Sequence, residues 1–264
     1  MIPSEVRPQA DAVVGELVRM LGSDLVGVYL HGSAVLGCFG PRSDIDLVAV
    51  SRQAIGDVRR RTLVEALLTI SAPYDPAPPL RPIELDLVLS TALDPWQYPT
   101  PLDFHYSEEF RARFKAGELE AWESLESRDL AAHVTVLQHA GISLHGPAIE
   151  RTFPDVPISD YRHALTHDLD WCRTRFAEMP RYGVLSVARI WATVATGVPH
   201  SKASGAEWAL PRLPMAVRAV LEHGLDFYTG VASEGRWETL PVAEYVAKVA
   251  DKIDRLNEMT TPRR

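Results

Sequence analysis

The sequence predicts an α+β protein in two parts, a strand-bearing domain over residues 1–105 and a helical domain over 120–264. Three observations carry this. The N-terminal part reads helix, strand, turn, strand, helix, strand, and its strands are short apolar runs bounded by Gly, Pro and Ser. Beyond "DPWQYPTPL" apolar residues recur at helical spacing instead. A chain of 264 residues is also long enough for two cores of ordinary domain size.

Taken in order, residues 7–22 set Val13, Val14, Leu17, Val18 and Leu21 at helical spacing and stop at Gly22. "LVGVYL" (25–30) is a strand that runs straight into Gly32-Ser33. "AVLGCF" is expected as a short helix before the turn Pro41-Arg42-Ser43. "DIDLVAV" (44–50) is the second strand, and 53–70 a helix carrying Ile55, Val58, Leu63, Leu67 and Ile70. A proline-laden loop, "APYDPAPPLRP", then leads to the third strand, "IELDLVLS". Helices are expected at 129–140, 159–177, 183–196, 202–210, 213–229 and 241–258, with breaks at Gly146-Pro147, Pro180, Gly197, Pro199 and Gly230.

Composition narrows the classes of function. A net charge of −8 argues against a nucleic-acid partner, which needs a basic face, and suits a cationic small molecule. No apolar run reaches the ~18 residues of a membrane span and the N-terminus lacks a signal-peptide pattern, so no membrane partner and a cytoplasmic location are expected. Cys38 and Cys172 stand far apart without metal-ligand spacing. A monomer is expected.

The chemistry gathers on two strands. Alternation sends Asp44 and Asp46 to one side, roughly 6–7 Å apart along the chain, while Ile45 and Leu47 take the other. The third strand repeats this with Glu84 and Asp86 against Ile83, Leu85 and Leu87. If the strands pair, three or four carboxylates converge, and a divalent cation relieves their repulsion. Mg²⁺ takes oxygen ligands shared with substrate phosphates. Gly32 permits close backbone approach to a ligand, and hydroxyls at Ser33 and Ser43 can donate to phosphate oxygens.

Gly-Ser followed by Asp-x-Asp and a third acid on a later strand resembles the nucleotidyltransferase superfamily related to DNA polymerase β. The blocks "VGVYLHGSAVLG", "SDIDLVAV", "RPIELDLVL", "DPWQYP", "ARIWATVATG", "SKASGAEWALPRLP" and "FYTG" follow the order of the aminoglycoside 3''- and 9-adenylyltransferases, and the resemblance covers nearly the whole chain. It implies a mixed-sheet nucleotidyltransferase domain and a helical bundle. It further implies AMP transfer from ATP to a hydroxyl of an aminoglycoside or aminocyclitol antibiotic, with Mg²⁺, pyrophosphate release and resistance as the outcome.

Residue by residue, the resemblance makes Asp44 and Asp46 metal ligands, with Glu84 a further ligand and the catalytic base. Gly32, Ser33 and Ser43 become triphosphate contacts, Arg189 and Lys202 phosphate-binding cations, and Tyr228 a nucleotide contact. Asp86 stands where the family has a non-acidic residue; it is either an acid supporting Glu84 or a metal ligand, and exchange of the two roles stays open. His31 is expected to pack.

For the acceptor, Asp168, Asp170 and Glu178 can pair with cationic groups and Trp171 can stack on a sugar or guanidinium face. This stretch departs from the family: Phe176 follows Trp171 where streptomycin-accepting members have aspartate, and Glu109 replaces a tryptophan. Spectinomycin is therefore favoured over streptomycin. Two other readings are open, the same transfer to another small amine-bearing metabolite and a non-catalytic, antitoxin-like nucleotide binder.

Overall fold

The computed structural model describes residues 2–74, 80–118, 125–232 and 236–260. Five residues of the proline-laden loop (75–79) lie outside these. The chain divides into two compact units, one of residues 1–39 and 43–161 and the other of 40–42 and 162–264.

In the first unit, α1 (Arg7–Leu21) leads to β1 (Leu25–Leu30) and β2 (Ile45–Ser51), and α2 (Gly56–Ile70) to β3 (Ile83–Leu89). A single turn, α3 (Ser90–Leu93), precedes β4 (Thr100–Tyr106) and α4 (Arg111–Lys115). Next come β5 (Leu125–Ser127), α5 (Leu130–Ala140), β6 (Ile142–His145) and α6 (Ile149–Thr152). The sheet order is β5-β4-β3-β2-β1-β6, with β2 and β3 parallel and the other pairs antiparallel. The sheet is therefore mixed, as expected.

Strand alternation divides the side chains between two cores. Ile45, Leu47 and Ala49 of β2 and Ile83, Leu85 and Leu87 of β3 pack with Val13 and Leu17 of α1 and Leu63 and Leu67 of α2. Val48, Val50 and Val88 face the other way, against Leu130, Val134 and Leu137 of α5. Asp46, Glu84 and Asp86 share that second face, where polar side chains replace the apolar core at one end of the strands.

Two expectations need correction. "AVLGCF" forms no α-helix: residues 32–34 make one 3₁₀ turn, and Cys38 N–H bonds back to Ser33 C=O at 3.3 Å. Gly37, with φ +73°, turns the chain out of a helical path after that turn. The domain boundary also lies later than 105–120, because residues 125–161 belong to the first unit. β5 and β6 add to the sheet's two edges and α5 covers its second face.

β4 escaped the sequence reading because buried Asp103 interrupts its apolar pattern. That carboxylate accepts hydrogen bonds from Ile55 N–H (2.8 Å) and Arg60 (2.7 Å), which fixes the start of α2 to the sheet.

The second unit comprises α7 (Ile158–Arg175, mostly within it), α8 (Pro180–Thr196), α9 (Lys202–Ala209), α10 (Met215–Thr229) and α11 (Val242–Thr260). α8 is its centre, buried from Gly183 to Ala188 and again at Ile190 to Thr193. It begins at Pro180, three residues earlier than expected, because proline suits the first helical turn. Tyr245 of α11 donates its hydroxyl to Val184 C=O at 2.9 Å. Among the described residues, no helix is long and apolar enough to cross a membrane.

Candidate active site

In the first unit, parallel pairing aligns Asp46 with Glu84 and Val48 with Asp86. Each of Asp44, Asp46 and Glu84 offers a carboxylate oxygen within 4.8 Å of the others. All three are partly buried. His31 N–H donates to Asp46 C=O at 3.0 Å, extending the β1–β2 pairing so that Gly32 lands beside the Asp46 side chain. A Cβ on Gly32 would stand 1.7 Å from Asp46 Oδ2, and Gly32 has φ +68°, so both space and backbone call for glycine. The adjacent Ser33 Oγ is buried without a hydrogen-bond partner, and Ser43 is buried just before Asp44.

Asp86 lies outside this trio. It is 3% exposed, and its two oxygens accept from His105 Nδ1 (2.7 Å) on β4 and His133 Nδ1 (3.2 Å) on α5. His31 is buried with its ring 4.7 Å from that of His133, so its packing role holds.

Withdrawal from water pushes Glu84 up to about 7; His105 and His133 oppose this, while Asp44 and Asp86 add to it. Burial also disfavours ionised Asp86, but the imidazole hydrogen bonds outweigh it and hold that carboxyl well below its usual range. Burial pulls His133 down and its bond to Asp86 more than reverses this, leaving it at about 9.

A stability prediction follows from the sign of that shift. A raised histidine contributes stability fully below its unfolded value of 6.5 and loses it as pH rises through about 9. The melting temperature of the metal-free protein should therefore fall between pH 7 and pH 9.5, and Asp86→Asn should flatten that slope. An unchanged slope in the variant would remove the Asp86–imidazole contacts as its source.

Tyr74 was also missed by sequence reasoning. Its hydroxyl is 2.9 Å from Ser107 Oγ, which accepts from Glu109 N–H at 3.3 Å. Burial raises the Tyr74 pKa and the nearby Glu84, Asp44 and Glu109 carboxylates raise it further. Glu109 thus stands in the same neighbourhood as the trio. No local signal in the sequence links Tyr74, His105 and His133 to the acids they meet.

The second unit arranges the remaining candidates. Arg189 on α8 pairs with Asp168 on α7 at 2.6 Å. Gly205 of α9 packs directly on Arg189, where a Cβ would approach Arg189 Cα to 2.6 Å. That contact brings α9, and Lys202 at its start, close to α8. Lys202 Nζ lies 4.2 Å from the centroid of the Tyr182 ring, and Tyr182 meets Trp171 edge-on at 6.0 Å. Tyr228 is buried on α10.

The four acceptor candidates do not form one group. Asp168 and Trp171 lie three residues apart on one side of α7, whereas exposed Asp170 pairs with Arg173 at 3.1 Å, and Arg173 also bonds Asp254 of α11. Glu178 pairs with Arg175 at 3.0 Å and lines an open cavity of about 580 Å³ with Met179, Trp237 and Glu238. These local ion pairs account for Asp170 and Glu178 without a ligand.

A mixed sheet that holds a Gly-Ser turn against three converging carboxylates, in a chain with a second, helical unit, is the make-up of a nucleotidyltransferase. Residues 151–254 match the C-terminal domain of aminoglycoside adenylyltransferases. A spectinomycin 9-adenylyltransferase of Staphylococcus aureus is 33% identical over 240 residues, which cover 91% of each chain. An aminoglycoside (3'') (9) adenylyltransferase of Shigella flexneri is 32% identical over 260 residues, covering 96% of this chain and 97% of that one. The fold matches the crystal structure of a spectinomycin adenyltransferase from Enterococcus faecialis with ATP and spectinomycin, at TM-score 0.87 and 22% identity over 94% of this chain and 99% of that one. The chain belongs to the aminoglycoside adenylyltransferase family.

Proposed function

We propose that the protein transfers AMP from ATP to a hydroxyl of an aminoglycoside or aminocyclitol antibiotic, with spectinomycin preferred to streptomycin, and so confers resistance. The observation that carries this is the Asp44–Asp46–Glu84 trio on paired strands, in a chain of this family. The preference is supported by the departures at Phe176 and Glu109 and by the relatives named for spectinomycin.

The donor set suits Mg²⁺. It is all oxygen, it is partly buried, and its three acids repel one another unless a cation is shared. Asp44, Asp46 and Glu84 would hold it, and Mg²⁺ bound there supplies neutralisation of negative charge on the reacting phosphate.

The chain's own residues account for the rest. Glu84 accepts the proton of the acceptor hydroxyl as that oxygen bonds to the α-phosphorus and the bond to the β-phosphate oxygen breaks. Asp86, engaged through both oxygens by imidazoles, supports the strand behind Glu84. Ser33 and Ser43 donate to the triphosphate. Arg189 and Lys202 are the helical unit's candidates for offsetting the charge of pyrophosphate as it leaves, with Tyr228 a nucleotide contact. Asp168 and Trp171 remain the acceptor candidates of α7.

Gly32→Ala tests the link between turn and trio. The added methyl must push Asp46 aside, so divalent-cation affinity by calorimetry should fall at least about tenfold, with about 1–3 kcal/mol of strain. Wild-type affinity in the variant would dissociate the Gly-Ser turn from the metal site.

The function itself is tested by pyrophosphate release from ATP and Mg²⁺ with spectinomycin, streptomycin and other aminoglycosides offered singly. Release with spectinomycin is expected. Silence across the panel, with ATP binding demonstrated, would overturn the antibiotic as acceptor.

A further inference from the structure

Lys202 is the first residue of α9, next to the N-cap Ser201, where the helix dipole disfavours a cation. The capping box occupies the Ser201 and Ser204 amides, so it is the lysine itself, placed against the dipole, that calls for an anionic ligand. How the ammonium is held decides whether its charge is available. Its neighbour Arg189 is anchored by the Asp168 carboxylate, which offsets much of its charge. Lys202 is anchored differently: no carboxylate among the described residues pairs with it, and its Nζ rests 4.2 Å from the Tyr182 ring centroid. An aromatic face attracts a cation through its quadrupole and leaves the net charge intact.

Tyr182 is well fixed for this purpose. It sits in the first turn of α8, donates its N–H to Met179 C=O at 3.0 Å, and has its ring edge-on to Trp171. Gly205, in the first turn of α9, lets that helix approach α8 closely enough for the contact. We propose that Tyr182 is a positioning residue for Lys202, holding the ammonium by its ring so that the full charge is presented to the nucleotide's phosphates. The inference rests on the assignment of Lys202 to those phosphates made above.

The test is a double-mutant cycle on the full chain, read as ATP affinity by calorimetry without acceptor, with melting curves confirming that each variant folds. Tyr182→Leu should weaken ATP binding about three- to fivefold, the size of a partly exposed cation–π contact, and Tyr182→Phe, which keeps the ring, should restore it. Lys202→Ala should weaken it at least as much, and adding Tyr182→Leu to Lys202→Ala should cost nothing more. If Lys202→Ala weakens binding while Tyr182→Leu does not, Tyr182 has no positioning role. An equal loss from Tyr182→Leu with and without Lys202 would overturn the inference in favour of a general packing role. If Lys202→Ala leaves ATP affinity unchanged, the phosphate assignment fails and the inference with it.

Discussion

Asp44→Asn should slow AMP transfer about a thousandfold, the equivalent of about 4 kcal/mol of transition-state charge stabilisation. The reasoning is electrostatic. Three carboxylates within 4.8 Å of one another are the proposed Mg²⁺ ligands, and the attraction of such a group for a divalent cation depends on every negative charge in it. Asparagine keeps the shape and one oxygen donor but removes a charge. Because Asp44 is partly exposed at the start of β2, the fold should be retained, with a melting temperature near that of the wild type. The same variant should lose most of the thermal stabilisation that Mg²⁺ and ATP together give the wild type. Turnover near normal would remove Asp44 from the site.

Glu84→Gln is expected to lower turnover by about 10²–10⁴-fold while ATP affinity changes little, because the amide cannot accept the acceptor's proton. As the proposed base Glu84 must be ionised to act, so wild-type activity should rise with pH through its titration. Burial sets that midpoint at about 7 in the metal-free protein, and a bound cation favours the carboxylate, so the acidic limb in the presence of Mg²⁺ should lie below 7. The limb should vanish from what activity Glu84→Gln retains. Asp86→Asn is the informative contrast. Its carboxylate bridges two imidazoles, so the substitution should cost stability, about 2–3 kcal/mol for breaking a largely buried pair with partly exposed partners, and much less turnover at a temperature where the variant is folded. If Asp86→Asn instead removes turnover and Glu84→Gln does not, the two roles are exchanged.

The place of each acid was legible to different degrees for a physical reason. Period-two alternation in "DIDLVAV" and "IELDLVL" by itself places Asp44 with Asp46 and Glu84 with Asp86, because a strand that buries one face must turn its alternate residues to another environment. The glycine turn was equally readable. What separates Glu84 from Asp86 was not. It depends on His105, across a β-strand pairing, and on His133, 47 residues away on a helix, and no local pattern encodes a contact at that distance. β4 was hidden because its buried Asp103 looks like a loop residue, and β5 and β6 because edge strands of three and four residues carry too few side chains to show a period. Residues 125–161 were assigned to the wrong side of the domain boundary for that reason.

The helical part shows the same division. Helix positions followed from 3.6-residue periodicity, and Arg189 and Lys202 stood out within their sequence blocks. The partners of these cations had to come from tertiary structure: Asp168 reaches Arg189 across two helices, Tyr182 meets Lys202 because Gly205 lets α9 approach, and Asp170 and Glu178 are occupied by neighbouring arginines. By itself the sequence determined the fold class, the order of most elements and the alternation that sets Asp44 with Asp46 and Glu84 with Asp86, since these rest on local periodicity and short-range motifs. Which carboxylates gather into one group, which one is tied up by histidines, and how each cationic side chain is held were decided only when strands and helices distant in the chain packed together.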